Sequence, residues 1–258
     1  MGAAKFHGEA WGAKTKDWAE LQEPSWRPIY EAMLRRCGVR EGTRVLDVGC
    51  GAGGALVVAR ELGAQVTGID GATRLIEIAR ERLPDAGLEV GDMEALPFAD
   101  AAFDLVTSFN SFQFAEDLPR ALREARRVCR PGGTVLMLVW GPKEACDLAG
   151  VTLAAVLALL PPAPPSAPLS QPGTMEALFT EAGLVPGPSG ELDCEFRYPD
   201  AEGAWRALSS AGMMVRAIRH VGEEKVKGAL LGSLVAFTRP DGSVVQRNRF
   251  RWASATRA

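Results

Sequence analysis

A glycine-rich turn flanked by carboxylates carries the first chemical signal in this chain. Val45-Leu46-Asp47-Val48-Gly49-Cys50-Gly51-Ala52-Gly53-Gly54 runs from a buried-strand pattern into glycines and then into a helical pattern from Ala55 to Leu62. Such a turn lets a ligand lie against bare backbone, with amide donors and a helix N-terminus facing it. Gly49, Gly51 and Gly54 also satisfy G-x-G-x-x-G, the dinucleotide fingerprint, so the loop alone does not name its ligand. Asp70 ends the next strand pattern, Val66-Thr67-Gly68-Ile69-Asp70, twenty-one positions after Gly49. An acidic side chain there accepts hydrogen bonds from both ribose hydroxyls of an adenosine.

Two further features separate the candidate ligands. Asp47 stands two residues before Gly49, where it would repel a diphosphate and welcome the ammonium of an amino-acid tail. Val90-Gly91-Asp92-Met93 ends the third strand pattern. Asp92 offers an acceptor for an exocyclic amine, and the Met93 thioether a surface for an adenine ring.

The elements that must hold these residues alternate along the chain. Short β-rich runs at Arg44 to Val48, Gln65 to Asp70, Leu88 to Val90, Phe103 to Ser108 and Thr134 to Trp140 are separated by helical patterns at Ala55 to Leu62, Leu75 to Leu83 and Leu118 to Cys129. This is the signature of a parallel sheet wound with helices. Asp117 reads as an N-cap, and Pro131-Gly132-Gly133 as a hard stop. After Trp140 the alternation breaks. Residues 143–172 hold an apolar run followed by Pro161-Pro162-Ala163-Pro164-Pro165, an excursion away from the sheet. Thr174 to Ala182 reads as a helix, 191–198 as a strand and 201–236 as mostly helical. Ser243 to Ser254 alternates as a closing strand, with Arg247, Arg249 and Arg251 on a solvated face that blunts an edge.

Composition bounds the rest. With 258 residues, 47% hydrophobic and 24% charged, the chain is an ordinary globular protein large enough for one α/β domain with a cap. A net charge of −3 provides no field to gather nucleic acid or an anionic membrane. Five cysteines without C-x-x-C spacing argue against a disulfide framework or zinc ribbon and fit a cytoplasmic location. No apolar stretch is long enough to span a bilayer, and no secretory leader pattern opens the chain.

These blocks together resemble the class I S-adenosylmethionine-dependent methyltransferases, in particular the type-11 group that includes the ubiquinone/menaquinone-biosynthesis C-methyltransferases. The resemblance rests on Leu46 to Gly53, Asp70, Gly91-Asp92-Met93-Glu94-Ala95-Leu96-Pro97-Phe98, Phe103-Asp104-Leu105-Val106 and Arg130-Pro131-Gly132-Gly133, and covers roughly residues 40 to 140. It implies a Rossmann-like, doubly wound α/β fold: a seven-strand mixed sheet with its last strand antiparallel, plus helical cap and lid insertions. The divisions are an N-terminal helical lid (1–38), a cofactor-binding core (39–142), a cap insertion (143–172) and a C-terminal part completing the sheet (173–258), with an acceptor-cap segment at 201–236. S-adenosylmethionine is the implied cofactor and S-adenosylhomocysteine the product. By this resemblance Gly49 and Gly51 flank the methionine portion, Asp70 the ribose, and Asp92 with Met93 the adenine. Asn110, Ser111 and Gln113 match the segment that runs past the sulfonium. Relatives often carry a histidine pair there; Phe109-Asn110-Ser111-Phe112-Gln113-Phe114 has none.

Trp11, Trp18, Trp26 and Tyr30 read either as an aromatic lid over the cofactor, with Trp18 foremost, or as staples of a helix to the sheet. With only His7 and His220 present, a histidine metal site or a Ser-His-Asp triad is not expected, and no catalytic residue is assigned. His220 beside Arg219 reads as a surface residue, His7 as part of a terminus, and Cys50 as small filler rather than a nucleophile. The acceptor pocket is expected from 143–172 and 201–236, whose Leu153, Leu157, Met213 and Met214 suggest a small apolar or aromatic metabolite. The alternatives are an NAD(P)-dependent oxidoreductase, or an S-adenosylmethionine-binding module without transfer activity. Oligomeric state is not legible in the sequence.

Overall fold

The computed structural model describes residues 3–162 and 167–258. The N-terminal segment is helical: α1 (Ala3–Trp11), the single turn α2 (Thr15–Asp17), a π-helical turn (Trp18–Gln22), a 3-10 turn (Glu23–Trp26) and α3 (Arg27–Arg36). The core then alternates as β1 (Arg44–Val48), α4 (Gly54–Glu61), β2 (Gln65–Asp70), α5 (Thr73–Arg82), β3 (Gly87–Val90), β4 (Phe103–Phe109), α6 (Leu118–Val128) and β5 (Cys129–Trp140). After a 3-10 turn, a π-helical turn and α7 (Ala154–Leu157) come α8 (Thr174–Glu181) and β6 (Val185–Tyr198). The chain ends with α9 (Ala201–Ser209), α10 (Gly212–Val221), α11 (Glu223–Leu234) and β7 (Val244–Thr256).

One sheet of order β3-β2-β1-β4-β5-β7-β6 results. β1 pairs parallel with β2 and β4, and β4 with β5, because each helical crossover returns the chain in the same direction. β7 alone runs antiparallel, inserted between β5 and β6. The seven-strand mixed sheet with its last strand antiparallel is therefore the observed architecture. Period-2 alternation splits the core: Val45, Leu105, Leu136 and Leu138 face one helical layer, while Leu46, Val48, Val106 and Val135 face the layer of α6 and α8. Strand order reverses between β1 and β4, which opens a crevice at the carboxyl ends of these strands.

Several boundaries differ from the sequence reading, each for a local reason. Asp117 does cap α6, its Oδ1 accepting from Arg120 N at 2.9 Å. The helix nevertheless ends at Val128, before Pro131-Gly132-Gly133, and Cys129 already belongs to β5. The Arg257 guanidinium accounts for the early stop, donating to the carbonyls of Arg126, Arg127 and Cys129 at 3.3, 2.8 and 2.7 Å. β6 begins at Val185 and tolerates Pro186 and Pro188 because it is an edge strand.

The arginine face of β7 is not edge-blunting, since β7 is interior. Arg249 pairs with Asp193 at 2.7 Å across the strands, and Arg251, with a side chain 7% exposed, with Glu176 of α8 at 2.9 Å. The start of the 143–172 segment does not leave the sheet either. Leu148 N donates to Asn248 Oδ1 at 3.0 Å and Arg247 N to Asp147 Oδ2 at 2.7 Å, laying the segment on β7. Ala163, Pro164 and Pro165 of the expected proline-rich turn lie outside the described residues.

Candidate functional site

The crevice is a cleft of about 980 Å³, a figure that includes the open solvent at its mouth. The glycine loop forms its floor. Gly49 and Cys50 donate to Ile69 O at 2.7 and 3.1 Å, which ties the loop to β2. Gly49, Gly51 and Gly53 have φ of 77°, 56° and 85°, a region that disfavours side chains. Gly49 is further constrained by Ser111. Gly51 faces the cleft, where a Cβ would meet nothing nearer than Trp18 Nε1 at 3.5 Å.

Three carboxylates gather at this end. Asp47, 2% exposed, accepts from the Thr107 hydroxyl at 2.7 Å. Burial raises its pKa to about 7 against the lowering effect of that bond, and the charges of Asp70 and Glu23 add to the rise. Asp70 accepts from Gly51 N at 2.9 Å and Ala72 N at 2.7 Å, holding the loop to the start of α5. Burial raises its pKa while those two amides oppose the rise.

Glu23 is the third, and sequence reasoning missed it. It is 4% exposed, accepts from Gly54 N at 3.2 Å and is bound by Arg82. Burial raises its pKa and Arg82 opposes that. No local motif announces Glu23, because its role arises only when the N-terminal segment folds back over the loop. Its long-range partners, on α4 and α5, could not be inferred from spacing.

At the other end Asp92 and Met93 follow β3, with Asp92 Oδ1 accepting from Glu94 N at 2.9 Å. Asn110 follows β4 at φ 58°, a left-handed conformation that asparagine adopts more readily than most residues with a side chain. Its Oδ1 accepts from Gln113 Nε2 at 2.8 Å. The structure thus brings Trp18, Asp47, Gly49, Gly51, Asp70, Asp92, Met93, Asn110 and Ser111 to one cleft. Gln113 does not line it; its amide turns back onto Asn110. The buried Ser111 hydroxyl is engaged with Val48 O and, at 2.6 Å, with the Ser108 hydroxyl, so it braces the loop.

The N-terminal aromatics divide between their two readings. Trp26 and Tyr30, 4% and 7% exposed, staple the segment to the sheet while also lining the cleft: Trp26 packs on Phe250 at 5.0 Å and Tyr30 edge-on to Phe109 at 5.0 Å. Trp11 and Trp18 cover the cleft, in T-shaped contact at 4.8 Å, and Trp18 Nε1 is buried without a hydrogen-bond partner. His7 also borders the cleft, tilted against Phe114 at 5.2 Å. Burial and then Arg216 lower its pKa, favouring the neutral imidazole. His220 is exposed and outside the cleft.

The segments from which the acceptor wall was expected lie away from this cleft. No residue of 143–172 or 201–236 borders the cleft among the described residues. Val156 and Met214 are core, while Leu157 is 42% exposed. α10 instead seats α1: a Cβ at Gly212 would lie 2.7 Å from the Trp11 ring. The apolar pattern of those helices served packing, which periodicity does not distinguish from a pocket. Among the described residues no cluster of His, Cys, Asp or Glu is arranged to hold a metal ion, and no helix is long and apolar enough to cross a membrane.

Comparison with known proteins agrees with this geometry. Residues 46–137 match a family described as a methyltransferase domain. The chain is 37% identical over 144 residues to an uncharacterized protein of Mycobacterium tuberculosis, covering 54% of this chain and 52% of that one. It therefore spans about half the length of that relative. It is 34% identical over 194 residues to a malonyl-[acyl-carrier protein] O-methyltransferase of Erwinia pyrifoliae, covering 75% of this chain and 70% of that one. Among solved structures, a chain from the complex of the Trm112 methyltransferase activator with a methyltransferase of Haloferax volcanii superimposes with a TM-score of 0.59. It is 23% identical, covering 95% of this chain and 96% of that one, and shares the fold.

Proposed function

The chain belongs to the class I S-adenosylmethionine-dependent methyltransferases, and on that premise we propose that it methylates a small apolar or aromatic metabolite by in-line displacement. The observation that carries this reading is the polarity of the cleft. Glu23, Asp47 and Asp70 crowd the glycine loop, and Trp11, His7 and Phe114 line the same cleft. Three carboxylates favour a ligand with cationic groups and repel a diphosphate, which disfavours the oxidoreductase alternative.

The cofactor fits features already present. Trp18 Nε1 is a buried donor awaiting an acceptor, and Gly51 leaves its backbone bare to the cleft. Asp70 keeps lone pairs for ribose hydroxyls, Asp92 and Met93 form the adenine end, and Asp47 with the loop receives the amino-acid tail. Bound S-adenosylmethionine would supply a methyl group on a sulfonium, an electrophile that is already activated. The chain's residues then align the acceptor and exclude water, with Trp11 and Phe114 as walls. His7, neutral and at the rim, is placed to take a proton from a phenol or an acidic carbon. We place the protein in the cytoplasm, acting without nucleic acid or membrane.

The test is incubation with methyl-labelled S-adenosylmethionine and a panel of phenols, apolar acids and aromatic amines. Transfer of label to an apolar acceptor, with S-adenosylhomocysteine released, supports the reading. Cofactor binding with no transfer to any member of the panel would favour a binding module.

A further inference from the structure

The glycine loop leads into α4, and the first amides of such a helix ordinarily receive an anion from the ligand. Here that position is filled from within the chain. Glu23 Oε1 accepts from Gly54 N at 3.2 Å, and a Cβ at Gly54 would lie 2.8 Å from the Glu23 carboxyl carbon. Only glycine at 54 lets the carboxylate sit so close. Glu23 borders the cleft, whereas its partner Arg82 does not. The Arg82 guanidinium is held behind the carboxylate, donating also to Ala52 O at 3.0 Å and Ala19 O at 2.8 Å. The cleft therefore meets the negative member of the pair, beside Asp47 and Asp70.

We infer that Glu23 is a cofactor-discriminating residue: it occupies the anion position at the start of α4 and selects an adenosine whose tail carries an ammonium group over one with a diphosphate. This deepens the proposed function and rests on it. A G-x-G-x-x-G loop that would otherwise suit either ligand class is committed to one by a residue thirty-one positions from Gly54. Neutralising Glu23 leaves the Arg82 guanidinium without its counter-charge next to open helix amides, a pairing that attracts phosphate oxygens.

The test compares the full chain and its Glu23→Gln variant in calorimetric and competition titrations with S-adenosylhomocysteine, ADP and 5′-methylthioadenosine. The last shares the adenosine but lacks the amino-acid tail. The expected result is at least a tenfold fall in the ratio of S-adenosylhomocysteine to ADP affinity, with methylthioadenosine affinity held within threefold. A smaller change in that ratio, or a loss of methylthioadenosine binding in step with S-adenosylhomocysteine, overturns the inference. Glu23→Asp withdraws the carboxylate from Gly54 while keeping its charge; it shifts the ratio in the same direction and decides the matter if the glutamine variant does not fold. Failure of the unmodified chain to bind S-adenosylhomocysteine would defeat the proposed function itself, which keeps the two failures apart.

Discussion

Ser111 packs so closely on Gly49 that a Cβ at position 49 would lie 2.2 Å from the Ser111 Cβ. The contact locks the glycine loop after β1 to the turn after β4, and the Ser111 hydroxyl adds a bond to Val48 O. Two sequence blocks some sixty residues apart are thereby held as one surface. Gly49→Ala is expected to lower both thermal stability and S-adenosylhomocysteine affinity, because φ at 49 is 77° as well. Ser111→Gly in the same chain should restore part of the loss. Calorimetry on the two single variants and the double variant reads the coupling; additive effects would contradict the contact.

Asp70→Ala should weaken S-adenosylhomocysteine by about 2 kcal/mol or more, roughly thirtyfold, since each hydrogen bond to a buried charge is worth about 1.5 to 3 kcal/mol. The loop loses its tie to Gly51 N in the same variant. Titration of a variant with unchanged circular dichroism checks this, and an affinity equal to that of the unmodified chain would refute the placement.

Asp47 is expected to make S-adenosylhomocysteine binding pH-dependent. Its carboxyl is raised from 3.8 to about 7 in the ligand-free fold, chiefly by burial. The native state thus holds a proton that the unfolded chain has released, so stability falls as pH rises from about 4 to about 7 and levels off above. Binding of an ammonium has the opposite sign, because it needs the carboxylate. S-adenosylhomocysteine affinity should therefore fall by up to about tenfold per unit as pH drops below 7. Titrations at pH 6 in buffers of different ionisation enthalpy should show proton release, absent in Asp47→Asn.

Trp18→Phe keeps a ring over the cleft and removes an indole N–H that is buried without a partner. Stability of the ligand-free chain should be unchanged or slightly higher, while cofactor affinity falls by about 1 kcal/mol. A parallel drop in melting temperature would instead mark Trp18 as a staple.

The core of the fold was legible because its signals are local. Strand periodicity and the Asp117 cap each lie within a few residues, the spacing of Gly49, Gly51 and Asp70 spans a single βαβ unit, and these last three line the cleft. What escaped depends on distant partners. Glu23 reaches α4 and α5, Arg257 ends α6 across the chain, and Arg251 is buried only because β7 is interior. That the described residues of 143–172 and 201–236 do not border the cleft has the same reason. Leu157 and Met214 carry an apolar pattern without direction, and it is the docking of α1 on α10 that brings His7 and Trp11 to the rim.

Calorimetric titration with S-adenosylhomocysteine and separately with NADH decides whether this glycine loop serves S-adenosylmethionine rather than a nicotinamide dinucleotide. One-site binding of S-adenosylhomocysteine and no heat from NADH is expected. Binding of NADH alone would mean that the carboxylates of Glu23, Asp47 and Asp70 do not govern the cleft, and would refute the assignment of its cofactor.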